Sequence, residues 1–125
     1  MILGLGIDLV ETERLAQALA RTQGFEARVF TEGESADCAA RGDRVQALAA
    51  RFAAKEACLK ALGTGWAQGL GFRQVEVVRE DGGPPRLKLH GAAAERAASM
   101  GVTRIHVSLS HQPGAAAAVV VLEAG

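Results

Sequence analysis

RVQALAARFAAKEACLKAL, residues Arg44–Leu62, is the stretch that decides the fold. It reads as one long helix, with Asp43 placed to cap its start and Gly63 in the closing position at its C-terminus. At 100° per residue Val45, Ala49, Phe52 and Leu59 share one stripe, and Glu56 falls in the middle of it. Burying a carboxylate there costs on the order of several kcal/mol unless a cation or hydrogen bonds compensate. Two readings stand: either Glu56 lies at an exposed end or pairs with Lys60 one turn on, or it serves a ligand.

Working outward toward the N-terminus, Thr31 and Glu34 have capping-box spacing for a short helix that runs to Arg41 and ends at Gly42. Residues 11–22 form an Arg-rich amphipathic helix that stops at Gly24. Arg14, Arg21 and Arg28 recur every seven residues, which draws a basic line along that side, bent at Gly24, with Phe25 as an apolar neighbour. Residues 2–10 read as a strand: Leu3, Leu5, Ile7 and Leu9 alternate on one face. The other face carries Gly4 and Gly6, which permit close backbone approach, and then Asp8 near the strand end. A lone Asp there is an ordinary turn former. Paired with Glu56 on a separate rigid element, it is also what a magnesium ion needs when a phosphate supplies further oxygens.

Toward the C-terminus, GTGWAQGLG follows the long helix and offers backbone N–H groups to a phosphate, although it lacks the GxxxxGK[ST] of a P-loop. Residues 72–79 and 86–90 read as a hairpin across EDGGPP. Residues 92–100 form an Ala-rich helix closed by Gly101. Residues 104–110 and 116–123 make two further strands joined by HQPG. Ile105, Val107 and Leu109 face inward, so His106, Ser108 and Ser110 share the other face and His111 opens the turn. Helices and adjacent hairpins in this order give an α+β domain over residues 1–125, with an antiparallel sheet packed around the long helix.

Composition narrows the functions. The 125 residues, 49% of them hydrophobic, suit one globular domain. Fourteen basic and fourteen acidic residues cancel, which argues against a dedicated nucleic-acid binder, and 4% aromatics with no tyrosine argue against a base-stacking platform. Cys38 and Cys58 form no CxxC and are read as reduced thiols. MILGLGIDLV lacks the basic start and cleavage site of a signal peptide, and no stretch reaches the length of a membrane span, so a soluble cytoplasmic protein is expected. Ser108 or Ser110 with His111 invites a hydrolase reading, but there is no GxSxG elbow. A non-catalytic module that docks an acidic partner through the basic line is the other rival, and it leaves Glu56 without a reason.

Three segments together, GIDLVETER (residues 6–14), RFAAKEACLKALGTG (residues 51–65) and HVSLSH (residues 106–111), resemble the holo-acyl-carrier-protein synthases. These are the small trimeric members of the phosphopantetheinyl transferase superfamily. The resemblance implies transfer of 4′-phosphopantetheine from coenzyme A to a serine of an apo acyl carrier protein. It implies magnesium held by Asp8 and Glu56, and Lys60 on the transferred phosphate, with Glu56 and Lys60 as the catalytic pair. Arg51 would lie near the nucleotide 3′-phosphate, with Gly65 and His111 also contacting coenzyme A. Arg14, Arg21, Phe25 and Arg28 would dock the carrier protein, and the active site would lie between subunits of a homotrimer. Two departures stand out. RGDRV replaces the family's basic pair before the long helix, leaving Arg41 or Arg44 to serve, and Gln112 follows His111 where many members have an acid.

Overall fold

The computed structural model describes residues 1–65, 69–80 and 82–125. The chain runs β1 (Ile2–Glu11), α1 (Thr12–Arg21), α2 (Phe25–Val29), α3 (Glu32–Ala39) and α4 (Arg44–Leu62). After a 3₁₀ turn at Phe72–Gln74 come β2 (Val75–Arg79), β3 (Pro85–Leu89), α5 (Gly91–Met100), β4 (Arg104–Gln112) and β5 (Ala115–Glu123). Strands β1, β5 and β4 pair antiparallel in that order, and β2 pairs with β3 in a separate ribbon. The expected α+β architecture around the long helix is what forms. Two local readings need correction: residues 72–74 are a 3₁₀ turn rather than the start of a strand, and residues 25–29 form a short helix. Trp66, Ala67 and Gln68 of the glycine loop and Asp81 of the hairpin turn lie outside the described residues.

Helix α4 sits at the centre because seven of its nineteen residues are alanine, so sheet and helices can approach on nearly every side. Its C-terminal half packs with Val75, Val77, Ala93, Val120 and Leu122, and its N-terminal half with Leu15, Val29, Phe30 and Cys38. The tightest approach is to β1. A Cβ on Gly6 would lie 1.8 Å from the Ala57 carbonyl oxygen, and one on Gly4 2.2 Å from that of Ala61. The glycine face of β1 is therefore filled by the helix backbone, rather than left open for a ligand. The opposite face of β1 is apolar and uncovered, with Leu5 64%, Ile7 67% and Leu9 71% exposed. Cross-strand partners Val121, Val119 and Ala117 on β5 continue that face, and His106, Ser108 and Ser110 of β4 border it.

The stripe read from the sequence is split: Ala49 and Leu59 are fully buried, while Val45, Phe52 and Glu56 are only half-buried. The buried charges lie elsewhere. Lys55 and Glu34 have fully buried side chains and form an ion pair at 2.6 Å. Lys55 Nζ also donates to the carbonyls of Val75 at 2.6 Å and Phe72 at 3.1 Å. Glu34 accepts from Thr31 N at 2.9 Å, completing the expected capping box, and from Val77 N at 2.8 Å. Physical necessity explains the pair. The hairpin β2–β3 leaves one edge of β2 without a strand, and Val75 O and Val77 N on that edge are buried against α3 and α4. Unpaired, each would cost about 1–3 kcal/mol. Lys55 and Glu34 take the place of the missing strand.

Candidate active site: two clefts on the long helix

One cleft, of about 520 Å³, opens between β1, α1, α2 and α4. Asp8, Arg14, Leu15, Phe25, Phe52 and Glu56 line it. The pairing of Glu56 with Lys60 does not form. Lys60 Nζ instead crosses to β1, donating to the Ile7 carbonyl at 3.0 Å and to Asp8 Oδ1 at 3.1 Å. Glu56 makes no hydrogen bond among the described residues and is half-buried. Burial raises its pKa, the neighbouring Asp8 charge raises it further, and Lys60 opposes both. Rings of Phe25, Phe52 and Phe72 stack in series beside it, with centroids 6.4 and 5.2 Å apart.

A second cleft, of about 420 Å³, lies along the free edge of β4. Its polar lining includes Arg41, Arg51, Arg79, Ser108, Ser110 and His111. Arg51 is only 3% exposed, donates from one terminal nitrogen to the Ala47 carbonyl at 3.2 Å, and has no partner for Nε. A buried cation with an idle donor suits an anionic ligand. Asp43 does not cap α4 with its side chain. Its carboxylate accepts from Arg41 Nε and Nη2 at 2.8 and 3.0 Å and faces His111 Nε2 at 3.6 Å. Arg44 turns away to pair with Glu26. Of the two arginines the sequence left open, Arg41 is the one in the cleft.

Asp8 and Glu56 thus line the first cleft, with Lys60 bonded to Asp8, and Arg51 and His111 line the second. Gly65, with a left-handed φ of 56°, lies past the end of α4 and belongs to neither lining. Leu9 borders the first cleft and, with Ser110, His111 and Gln112, a shallower groove on the sheet's outer face. Arg14 and Phe25 line the first cleft, while Arg21 and Arg28 stand exposed beyond it, the line bending at Gly24 with φ 78°. No hydrogen bond joins Ser108 or Ser110 to His111 among the described residues, and His106 is engaged by Glu123 at 2.9 Å. The nucleophile–base pair a serine hydrolase needs does not assemble. Reading the sequence missed Lys55, although a lysine four residues from Leu59 and seven from Leu48 and Leu62, on one helix face, was a legible anomaly. It also missed Asp43 as the partner of Arg41 and His111, and Arg79, whose approach depends on how the hairpin folds back.

The profile of the 4′-phosphopantetheinyl transferase superfamily matches residues 4–120, and the chain belongs to that superfamily. Within it, the relatives are holo-[acyl-carrier-protein] synthases. The one from Desulfovibrio desulfuricans is 50% identical over 99% of both chains. The Neisseria meningitidis structure superposes with a TM-score of 0.87 at 33% identity, covering 98% of this chain and 99% of that one. A Bacillus anthracis structure in complex with coenzyme A (3′,5′-ADP) gives 0.81 at 36% identity, covering 100% and 99%. No helix among the described residues is long and apolar enough to cross a membrane.

Proposed function

We propose that residues 1–125 form a single cytoplasmic transferase domain that moves 4′-phosphopantetheine from coenzyme A to a serine of an apo acyl carrier protein. The serine oxygen attacks the β-phosphorus, the bond from that phosphorus to the bridging oxygen breaks, and 3′,5′-ADP leaves with the electron pair. The serine proton passes to solvent or to a site base. The observation that carries this reading is that Asp8 and Glu56 line one cleft, with the Lys60 ammonium bonded to Asp8. Glu56 lacks any hydrogen bond among the described residues, and burial and then the Asp8 charge raise its pKa against the one opposing cation, Lys60, so the two carboxylates favour a further cation between them.

Asp8 and Glu56 would hold magnesium. Among the described residues no third His, Cys, Asp or Glu completes a cage, which agrees with an ion that takes its other oxygens from substrate phosphate and water. Bound there, the ion would neutralise pyrophosphate charge and polarise the attacked phosphorus. Lys60 adds a fixed positive charge beside Asp8, where charge develops in the transferred group. Arg51, with its idle Nε, and His111 would receive the nucleotide phosphate, and Gly65 would lend a backbone contact. Arg14, Arg21, Phe25 and Arg28 would meet the acidic carrier protein.

The homotrimer is part of the same reading, and the split between clefts supports it. Asp8 and Glu56 line one hollow of the chain, Arg51 and His111 another, and the sheet carries an exposed apolar face. A homotrimer that buries Leu5, Ile7 and Leu9 would bring one chain's Asp8 cleft against a neighbour's His111 cleft. The test is transfer itself: apo carrier protein and coenzyme A should yield holo protein only with magnesium, and Asp8→Asn should abolish the yield. Undiminished transfer in the Asp8 variant would remove the first cleft from the reaction.

A further inference from the structure

The cleft around Arg51 holds more cationic side chains than binding through Arg51 and His111 requires. Arg41, Arg51 and Arg79 all line it, and the same three line an adjoining hollow of about 180 Å³. They differ in how far their charge is already met. Asp43 grips Arg41 with two hydrogen bonds and cancels its charge locally. Arg51 is buried and keeps Nε unpartnered. Arg79, the last residue of β2, donates from Nε to the Gly83 carbonyl at 3.1 Å. That bond tethers the guanidinium to its own hairpin, and its two terminal nitrogens have no partner among the described residues. Glu80 and Asp37 also border the adjoining hollow, but Glu80 is engaged by Arg86 at 2.8 Å.

A phosphate monoester carries close to two negative charges at neutral pH and presents three acceptor oxygens. One guanidinium leaves about half of that charge unmet, and a second set at an angle to the first is the usual complement. We propose that Arg79 is that second cation: with Arg51 it binds the 3′-phosphomonoester of the coenzyme A nucleotide, in place of Arg41, which Asp43 neutralises. This rests on the coenzyme A reading above. It makes Arg79 a specificity-determining residue, one that separates coenzyme A from its 3′-dephospho form. Asp43, by holding Arg41, makes that role necessary.

The experiment compares Arg79→Ala, Arg79→Lys and Arg41→Ala with the parent protein in magnesium buffer. Transfer to apo carrier protein is measured from coenzyme A and from 3′-dephospho-coenzyme A, and calorimetry measures binding of 3′,5′-ADP. Arg79→Ala should raise the KM for coenzyme A and the Kd for 3′,5′-ADP about tenfold, the loss of one charge-assisted contact. Constants for 3′-dephospho-coenzyme A should move less than about twofold. Arg79→Lys should recover part of the loss, and Arg41→Ala should cost less than Arg79→Ala. Equal losses on both substrates, or a larger effect from Arg41→Ala, would overturn the assignment. If the parent protein transfers nothing from coenzyme A, the functional reading fails, and 3′,5′-ADP binding still decides the role of Arg79.

Discussion

Replacing Lys55 by methionine tests the least conspicuous part of the molecule. The substitution keeps an unbranched four-atom stem, with sulfur in place of Cδ, and removes the ammonium. Three contacts go with it: the ion pair to Glu34 at 2.6 Å and the bonds to the carbonyls of Val75 at 2.6 Å and Phe72 at 3.1 Å. Glu34 stays buried with two amide donors but without its cation, and the Val75 carbonyl is left without its donor on the free edge of β2. Burial already lowers the Lys55 pKa, with the Glu34 charge opposing, so the ammonium is held by its partners rather than by solvent. Removing one member of such a pair costs about 3–5 kcal/mol. At about 2.1 cal/mol/K per residue, the unfolding entropy of this chain is about 0.26 kcal/mol/K, which translates the cost into a Tm drop of about 11–19 °C. Circular dichroism melts at pH 7 without added magnesium measure it. The double variant Lys55→Met/Glu34→Gln should regain part of the loss, because the uncompensated charge is gone. A single variant within about 3 °C of the parent, or a double variant no better than the single, would refute the substitution of side chains for a strand.

Glu56→Gln separates a metal ligand from a structural carboxylate. Because the folded-state pKa of Glu56 is raised above its ordinary 4.5, its stabilising contribution is present below that value and lost as pH rises through the raised one. Without metal, the variant should therefore melt at or above the parent near pH 7, with the difference vanishing near pH 4. Magnesium should stabilise the parent much more than the variant; a lower metal-free Tm in the variant would contradict this. Arg21→Glu should raise the KM for carrier protein and spare that for coenzyme A, and added salt should weaken the encounter in the parent. An unchanged carrier-protein constant would return the basic line to an ordinary solvated face. Light scattering should give about three times the 13.0 kDa chain mass, and an active monomer would overturn the shared-cleft assembly.

How much of this was legible before any coordinates depended on how local the cause was. The bounds of α4 follow from neighbours in sequence: Gly63 closes it in a left-handed conformation with φ 77°, and the Thr31–Glu34 capping box forms with both reciprocal bonds. Close approach at Gly4 and Gly6 was equally readable, since a missing Cβ has few purposes in a strand. What approaches them was not, because Ala57 and Ala61 are brought there by the chain reversal between β1 and α4. Periodicity on α4 was informative only in part, for a related reason. In a helix surrounded on nearly all sides one stripe can divide: Ala49 and Leu59 are buried as read, while Phe52 and Glu56 line the cleft. One reading set Lys60 against its helical neighbour Glu56, whereas its partner Asp8 lies 52 residues away in sequence, on β1. Asp43 was read as a cap and serves Arg41 and His111, which only the packing of β4 beside the start of α4 could reveal.

The most direct test of the account is the mass of an apo acyl carrier protein after incubation with this protein, coenzyme A and magnesium. Intact-protein mass spectrometry should find one phosphopantetheine added at a serine and 3′,5′-ADP released in equal amount. Both should disappear in EDTA and fall by orders of magnitude with Glu56→Gln. Carrier protein of unchanged mass alongside the parent protein, or equal modification by the Glu56 variant, would contradict it.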